Sequence, residues 1–592
     1  MMSFWPAQGG LAARAYVLLA LLVVLVATLA FFPTSAAAQE KEYEEWRQKQ
    51  RQERKEFLSK QDEAFLKFLE QEWTHVKIDA AVSSPTQNKP RQVPRADGPE
   101  PDVSAEGDLE GESNLEGEPS KGDSGEGEPT IPSAEESSSE ESSTDDSSGE
   151  DPSGENPASD GDPTSGEDTV PSESPAPGED SAPSQRAGEP VSGEASPGGE
   201  ASLGREVPSE REASLSRKAL SRQASLSFFG ASSSVPYGTA LAPELEAAPS
   251  ETSIRRFWKK MAEAPYGPML GAIQEERKEL GLSDWGYYLY LDRLSGQLYG
   301  GSSPSEQALW TWFALMKSGY AARVGYRQGE AFLVLPVEEK IFGRPQMYIG
   351  GQRYYLMVGD EGMVGSGGGS LRTYEGQHGS ARRALRLSEE NLPDVGTGSE
   401  TRTVEFSFQG QRRSLEVSYS PATAEYLRAY PDVELGVLME AGVSLVAEAS
   451  LKEALRPLLE GLGPRASANL LLKFSQFATD YKRDQEHFGE ERYLFPEESL
   501  ASDYSDCEDR AVLLAYLARE LLGREVVGLQ WPTHVALAIR TGDGLSAEGG
   551  DQTVTDGAGT YIYADPTYLG SSLGMKMPLV EGQEPEIIAV EQ

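Results

Sequence analysis

The sequence predicts an α+β fold, because predicted helices precede predicted strands in two separate parts of the chain. The first part shows three helices and then three strands, at 254–264, 269–280, 305–318, 321–326, 331–337 and 353–358. In the second part, a long helix that ends at Gly523 is followed by three short strands. The acidic residues 78–222 show neither pattern, so about 370 of the 592 residues are expected to fold.

The N-terminus has the three parts of an export signal. Arg14 precedes an apolar run over residues 16–32, and small residues end in an Ala-x-Ala site before Gln39. This order predicts a cleaved signal peptide over residues 1–38 and an exported protein, periplasmic or extracellular. The alternative is an uncleaved anchor, since the apolar run is just long enough to span a bilayer. No cysteine lies near the cleavage site, which excludes a lipoprotein.

Residues 39–77 are predicted to form one long, charged helix. The segment is dense in Glu, Lys, Arg and Gln and contains no Gly or Pro. Its aromatic residues recur at irregular, partly helical spacing, which is typical of a solvated spacer with a few aromatics docked on a neighbour. A partner-binding coiled segment is the alternative interpretation.

Residues 78–222 are predicted to form a disordered acidic linker. Between residues 101 and 200 the chain has 29 Asp or Glu residues, two Lys or Arg residues, and no Phe, Trp or Tyr. Such a segment cannot bury enough apolar surface to offset an ordering cost of roughly 1–2 kcal/mol per residue. With a net charge of −43 and no basic stripe, the chain is not expected to bind nucleic acid, or a membrane unless the anchor is retained.

Three folded regions are predicted after the linker. Residues 223–360 form the first α+β region, residues 370–445 a small β module, and residues 450–592 a further domain with helices and strands. The β module is predicted from residues 401–419, which alternate apolar and polar side chains around the turn at Gln409.

The only cysteine of the chain, Cys507, lies at the start of a helix predicted from about Asp506 to Leu522. Ser505 and Glu508 match the S-x-x-E capping box. With Ser505 as N-cap, Cys507 lies in the first turn, where free N–H groups and the helix dipole favour a thiolate. A single cysteine also excludes an intramolecular disulfide and a multi-cysteine metal cluster.

His534 and Asp565 are the candidates to complete a catalytic triad with Cys507. His534 lies at the start of the predicted strand 533–540, and Asp565 ends the predicted strand 560–564. Strands packed against the helix start would bring His534 to Cys507 as base and Asp565 to the far imidazole nitrogen. Taken singly, Cys507 and His534 are better explained as buried core residues than as catalytic residues. Together with Asp565, they predict nucleophilic catalysis.

These motifs resemble the transglutaminase-like superfamily of papain-like cysteine enzymes. The resemblance covers about residues 465–580 and rests on the strings Asp506-Cys507-Glu508-Asp509-Arg510-Ala511, Thr533-His534-Val535-Ala536 and Tyr563-Ala564-Asp565-Pro566-Thr567-Tyr568. It is closest to exported bacterial members, including transglutaminase-like cysteine proteases, and places the family's catalytic Cys, His and Asp on Cys507, His534 and Asp565. It implies a papain-like transglutaminase core at the C-terminus.

The same resemblance implies a cysteine hydrolase, a peptidase or amidase that acts on amide bonds of a protein or peptide. Acyl transfer to an amine, as in transglutaminase cross-linking, is the alternative within enzymes. A non-enzymatic scaffold or binding module is the alternative outside them.

Two further features are weighed beside the resemblance. Gln476 is either the family's oxyanion donor or a surface residue of the preceding helix. Asp506 and Glu508 resemble residues of calcium-dependent relatives, but helix capping explains them better. We therefore expect no required cofactor, with calcium as the one candidate.

Residues 305–325 and the strands after them also resemble the catalytic helix and the strands behind it. Pro304 falls where Cys507 would be, and no histidine follows. The region is either a degenerate, non-catalytic copy of the same fold or an unrelated α+β module.

Overall fold

The computed structural model describes residues 56–85, 89–96, 221–301, 303–357, 369–376, 378–379 and 381–591, with a few positions between 43 and 53. The predicted signal peptide lies outside the described residues, as does the predicted linker from 97 to 220. The described residues all fall in one compact unit. Helices make up 38% and strands 26% of the described residues, which confirms the α+β prediction.

The strands, in chain order, are β1 (Trp73–Ile78), β2 (Arg222–Phe228), β3 (Ala231–Tyr237), β4 (Arg323–Arg327), β5 (Glu330–Pro336), β6 (Gln346–Ile349), β7 (Gln352–Met357), β8 (Gly369–Tyr374), β9 (Glu400–Phe408), β10 (Gln411–Tyr419), β11 (Asp480–Tyr481), β12 (Tyr504–Ser505), β13 (Val526–Trp531), β14 (His534–Arg540), β15 (Thr553–Thr555), β16 (Thr560–Ala564) and β17 (Glu586–Ala589). The helices with defined bounds are α1 (Glu251–Glu263), α2 (Tyr266–Glu279), α3 (Asp284–Tyr299), α4 (Pro304–Lys317), α5 (Pro421–Arg428), α6 (Leu435–Glu440), α7 (Leu445–Leu459), α8 (Pro464–Phe477), α9 (Asp484–His487), α10 (Pro496–Ala501) and α11 (Cys507–Leu522). Short 3₁₀ helices lie at Thr239–Leu241 and Pro578–Val580.

Two antiparallel sheets form the framework of the described residues. The six-stranded sheet has the order β1-β8-β4-β5-β7-β6, and the five-stranded sheet has the order β15-β16-β14-β13-β17. Hairpins β2-β3 and β9-β10 stand apart from both, and β11 pairs in parallel with β12. In each of the two larger sheets, one of the predicted helices packs against the central strands.

The N-terminal segment departs from the prediction of a helix over 39–77. Residues 56–68 are helical, but Trp73–Ile78 is strand β1, which pairs with β8 at the edge of the larger sheet. Trp73 is buried there, and Phe65 from the helical part packs on Trp258 with ring centroids 4.3 Å apart. Burial of aromatic side chains against a distant part of the chain outweighs the local charge pattern.

The first residues of the predicted linker are also part of the fold. The backbone N–H of Asp79 donates to Gln346 O (2.7 Å), and the N–H of Ala96 donates to Leu569 O (2.8 Å). At the other end, β2 begins at Arg222, earlier than the resumption of folding predicted near Phe228. The prediction of a linker over 78–222 is therefore wrong for 78–85, 89–96 and 222. Ile78 and Arg222 belong to strands β1 and β2, and the backbone groups of Asp79 and Ala96 find partners far along the chain.

The hairpin predicted at 401–419 is confirmed. Strands β9 and β10 pair from Glu400 with Tyr419 to Phe408 with Gln411. The two turn residues adopt positive φ, +51° at Gln409 and +73° at Gly410, as a tight hairpin turn requires. The rest of the predicted β module differs, since 421–440 contains helices α5 and α6 and β8 belongs to the larger sheet.

The two larger sheets share one local topology. Helix α4 is followed by β4, β5 and β7, which lie side by side in that order, and α11 is followed by β13, β14 and β16, which do the same. A two-residue turn joins β4 to β5, and another joins β13 to β14. The residues paired on either side of the turn are Arg327 and Glu330 in the larger sheet, and Trp531 and His534 in the other.

The third strands of the two sheets, β7 and β16, also pair with their neighbours in the same register. Leu333, three residues after Glu330, pairs with Met357, the last residue of β7. Leu537, three residues after His534, pairs with Ala564, the last residue of β16. The residue after Met357 therefore corresponds to Asp565, and it is a valine in the sequence.

Candidate active site

Cys507 is the first residue of helix α11, and the residue before it is the N-cap. Asp509 accepts a hydrogen bond from the backbone N–H of Asp506 (3.0 Å), so the capping box is formed by Asp506 and Asp509. The sequence predicted Ser505 and Glu508 for this role, one residue too early. The helix ends as predicted at Gly523, which adopts a φ of +59°.

His534 and Asp565 lie side by side, as the sequence predicted. Strand β14 begins with His534, its neighbour β16 ends one residue before Asp565, and His534 Nε2 lies 2.8 Å from Asp565 Oδ2. The other oxygen, Asp565 Oδ1, accepts hydrogen bonds from the backbone N–H groups of Thr567 (3.0 Å) and Tyr568 (3.1 Å). Both oxygens of this carboxylate are thus held, and its direction is fixed by the turn that follows.

Asp565 contacts only one of the two nitrogens of the imidazole. His534 Nδ1 is buried and makes no hydrogen bond among the described residues. An unpaired buried nitrogen is costly unless something else uses it. It is the one polar atom of the His534–Asp565 pair that is left for a further group.

Cys507 is fully buried, and its thiol faces a carboxyl group. Cys507 Sγ donates to Glu508 Oε2 (3.0 Å), and no hydrogen bond between Cys507 and His534 is found in the described part of the chain. Burial, then Glu508, then Asp506, raise the pKa of Cys507 well above its ordinary value. The predicted thiolate is therefore wrong for this conformation, because burial and two carboxylates outweigh the helix dipole.

A buried cluster of carboxylates surrounds the ammonium group of Lys89. The ammonium nitrogen lies 2.9 Å from Asp484, 2.6 Å from Asp506 and 2.5 Å from Glu491, and it also contacts Glu508. The side chain of Lys89 is only 2% exposed. Burial would lower the pKa of Lys89, but Glu508, Asp506 and Asp484 together raise it.

The carboxyl groups of the same cluster are held partly neutral. Burial and the neighbouring Asp506 raise the pKa of Asp484 to about 8, against the effect of Lys89. Burial and Asp506 also raise the pKa values of Glu508 and Asp509 well above the ordinary range. Crowding of like charges in a dry site has this effect, since not all of them can ionise together.

The cluster has oxygen ligands of the kind that calcium prefers, and three of its members have ligand atoms within 4.8 Å of one another. The ammonium of Lys89, however, lies among these oxygens and supplies the positive charge itself. The residues present therefore do not fit a calcium ion at this position while Lys89 is bound.

Gln476 is a buried residue of α8, which excludes the interpretation as a surface residue. Its side-chain amide donates to Tyr568 O (3.1 Å) and to Ser571 Oγ (3.0 Å), and its oxygen accepts from the backbone N–H of Gly570 (3.3 Å). The side chain therefore secures the loop that follows Asp565.

No local sequence pattern pointed to two residues that shape the site. Lys89 lies in a polar stretch that resembles a linker, and Trp531 reads as an ordinary strand residue. The role of Lys89 depends on contacts between distant parts of the chain, since Lys89 and Asp506 are 417 positions apart. Trp531 lies opposite His534 in the β13–β14 hairpin, and its ring stacks on the imidazole.

Comparison with models of known protein families, with curated proteins and with solved structures finds no match. Among the described helices, none is both long enough and apolar enough to span a membrane.

Proposed function

We propose that the protein is an exported cysteine hydrolase, a peptidase or amidase, with a papain-like transglutaminase core and the triad Cys507, His534 and Asp565. The observation that carries this proposal is the buried contact between His534 Nε2 and Asp565 Oδ2 at 2.8 Å. This pair lies at the ends of two strands, and α11, which begins with Cys507, packs against the first of them.

The unpartnered His534 Nδ1 supports the role of a base. In the proposed reaction Cys507 Sγ turns from Glu508, gives its proton to this nitrogen and bonds to the substrate carbonyl carbon. The imidazolium then returns the proton to the leaving amine, and Asp565 stabilises the charge on the ring meanwhile. Water completes the cycle by hydrolysing the thioester, which restores the thiol.

The repeated topology indicates that Cys507, His534 and Asp565 are not needed to form this arrangement of helix and strands, which supports a functional role for them. The corresponding positions at the larger sheet carry Pro304, Glu330 and Val358. The same helix and strands therefore form without Cys, His or Asp at these places. We infer that the larger sheet is the degenerate, non-catalytic copy.

The test is hydrolysis of a general protein substrate by the full-length chain, with new amino termini detected by mass spectrometry. Cys507→Ala and His534→Ala should each lower turnover by about 10⁴-fold. Glu330→Ala is the matched control, because this exposed residue has the register position of His534 in the other sheet. Cleavage that persists in a folded Cys507→Ala chain would contradict the proposal. A fluorescent primary amine in the same assay reports acyl transfer, since it would become attached to the substrate.

A further inference from the structure

The candidate site is closed in this conformation. The exposed fractions are 0% for Cys507, 0% for His534 and 1% for Asp565. Two cavities of about 590 and 580 Å³ open elsewhere on the protein, and none of these three residues lines either of them. A substrate carbonyl can reach Cys507 only if part of the chain moves away.

Residues 89–96, which we call the strap, lie against the elements that form the site. At one end Pro90 O accepts a hydrogen bond from the hydroxyl of Tyr481 (2.7 Å), which lies three positions before Asp484 in the chain. At the other end Leu569 N–H donates to Pro94 O (3.1 Å) and Ala96 N–H donates to Leu569 O (2.8 Å). The strap thus runs from the acidic cluster to the chain four residues beyond Asp565.

Lys89 brings the strap to the nucleophile. Its ammonium group contacts Glu508 Oε1, while the thiol of Cys507 donates to Glu508 Oε2. One carboxyl group therefore binds both the strap and the reactive sulfur. The contact fixes the position of the lysine next to Cys507.

The strap is a basic segment, and its first residue binds in an acidic pocket. Its sequence, Lys-Pro-Arg-Gln-Val-Pro-Arg-Ala, has three basic residues and no acidic residue. The pocket that receives Lys89 offers four carboxyl groups to a single ammonium group. It is therefore built for a cationic side chain.

The backbone of the strap is bound as a peptide would be. The pairing of 94–96 with Leu569 uses main-chain groups alone and adds an extended segment beside the chain that follows β16. Main-chain pairing of this kind accepts many sequences, while a side-chain pocket supplies the selectivity.

We propose that the strap is an internal pseudosubstrate: it fills the peptide groove, and Lys89 occupies a subsite for a lysine or arginine side chain of the substrate. Only the cleavage of a bound substrate peptide depends on the proposed hydrolase function. The occupation of the groove and the preference for a basic side chain can be tested without turnover.

The first experiment measures the access to Cys507 in the full-length chain. Ala96→Pro removes the N–H that donates to Leu569 and leaves no charge unpaired, so the strap should detach more often. The rate of Cys507 alkylation by iodoacetamide, followed by mass spectrometry, should rise at least about 10-fold relative to wild type. Lys77→Gln is the control, since Lys77 is exposed and pairs with Asp79 outside the strap. Unchanged alkylation in a folded Ala96→Pro chain would overturn the covering role.

The second experiment measures binding to the subsite. Lys89→Glu should expel the strap by repulsion, and thermal unfolding reports whether this chain is folded; if it is not, the same assay is carried out on Ala96→Pro. A fluorescent peptide of the strap sequence should bind the variant and not the wild type, by fluorescence anisotropy. The same peptide with glutamate in place of its lysine should bind at least about 10-fold more weakly.

Two outcomes of the binding experiment would overturn the subsite. One is equal affinity for the lysine and glutamate peptides. The other is calcium binding to the variant, measured by calorimetry, together with no binding of the lysine peptide, which would define a metal-ion site. Neither outcome bears on whether Cys507 is a nucleophile, so failure of this proposal and failure of the proposed function are distinguishable.

Discussion

Trp531 and His534 face each other across the last register position of the β13–β14 hairpin, and their rings stack with centroids 5.8 Å apart and an interplanar angle of 19°. The imidazole is therefore held by a ring face on one side and by Asp565 at Nε2. Trp531 is itself buried, so it cannot swing away without leaving a cavity. It is a positioning residue for His534.

Replacement of Trp531 tests this positioning role. Trp531→Ala should lower kcat by about 10–100-fold with a smaller change in KM, because the ring that fixes the imidazole is lost. Trp531→Phe keeps an aromatic face and should retain most of the activity. Both variants are compared by thermal unfolding, since a purely structural role would change Tm and leave kcat intact. An unchanged kcat in Trp531→Ala would contradict the role.

Asp565→Asn separates orientation of His534 from closure of the turn. The asparagine oxygen can still accept from the N–H groups of Thr567 and Tyr568, so Tm should change little. Its amide group, however, would face His534 as a donor and favour the wrong tautomer, which should lower turnover by about 10⁴-fold. The measurement is turnover together with thermal unfolding.

A similar turn away from the site provides the control for Asp565→Asn. Asp556 Oδ1 accepts from the N–H groups of Ala558 (2.8 Å) and Gly559 (2.9 Å), and Asp556→Asn should leave both Tm and turnover unchanged. Full turnover in a folded Asp565→Asn chain would be inconsistent with a triad.

Local patterns predicted much of the fold and part of the site. The bounds of α11 and the β9-β10 hairpin follow from caps, turns and alternation, all of which are encoded within a few residues. The pairing of His534 with Asp565 also follows, because both lie at the ends of neighbouring strands. These features need no knowledge of distant segments.

The rest depends on contacts that no local pattern encodes. The chain around Lys89 is polar and rich in proline, yet its ammonium group is buried among carboxylates that lie about 400 positions later. The protonation of Cys507 was also not predictable from the helix start alone, since burial and Glu508 raise its pKa against the helix dipole, although Lys89 acts in the opposite direction. Strand β1 is missed for the same reason, because its partner β8 lies about 300 positions away.

Gln476→Leu tests whether this residue acts on the loop after Asp565. Leucine is of similar size but cannot bond Tyr568 O or Gly570 N–H, which would leave buried polar groups without partners at a cost of about 1–3 kcal/mol. We expect a lower Tm and a loss of turnover together. A loss of turnover with unchanged Tm would instead favour an oxyanion donor.

Glu389, a residue outside the candidate site, is expected to make the stability of the protein depend on pH. It is a buried carboxyl whose Oε1 accepts from the hydroxyls of Ser283 and Tyr426 (2.8 Å for Tyr426), and whose Oε2 has no hydrogen-bond partner among the described residues. Burial raises its pKa to about 8, although Ser283 and Tyr426 act in the opposite direction. The folded protein thus keeps this proton at pH values where the unfolded chain, with an ordinary pKa near 4.5, has lost it.

The sign of the effect follows from this difference. Between pH 4.5 and 8 the folded state binds more protons at Glu389 than the unfolded state, so the free energy of unfolding falls as the pH rises through this window.

Glu389→Gln keeps an oxygen for Ser283 and Tyr426 but cannot ionise. The Tm of the variant minus that of the wild type should therefore increase from pH 5 to pH 8 and level off above. Glu390→Gln, at the exposed neighbouring position, is the control, and its Tm difference should stay constant. A constant difference for Glu389→Gln as well would show that Glu389 has an ordinary pKa, and that the hydroxyls of Ser283 and Tyr426 offset the whole cost of burying its charge.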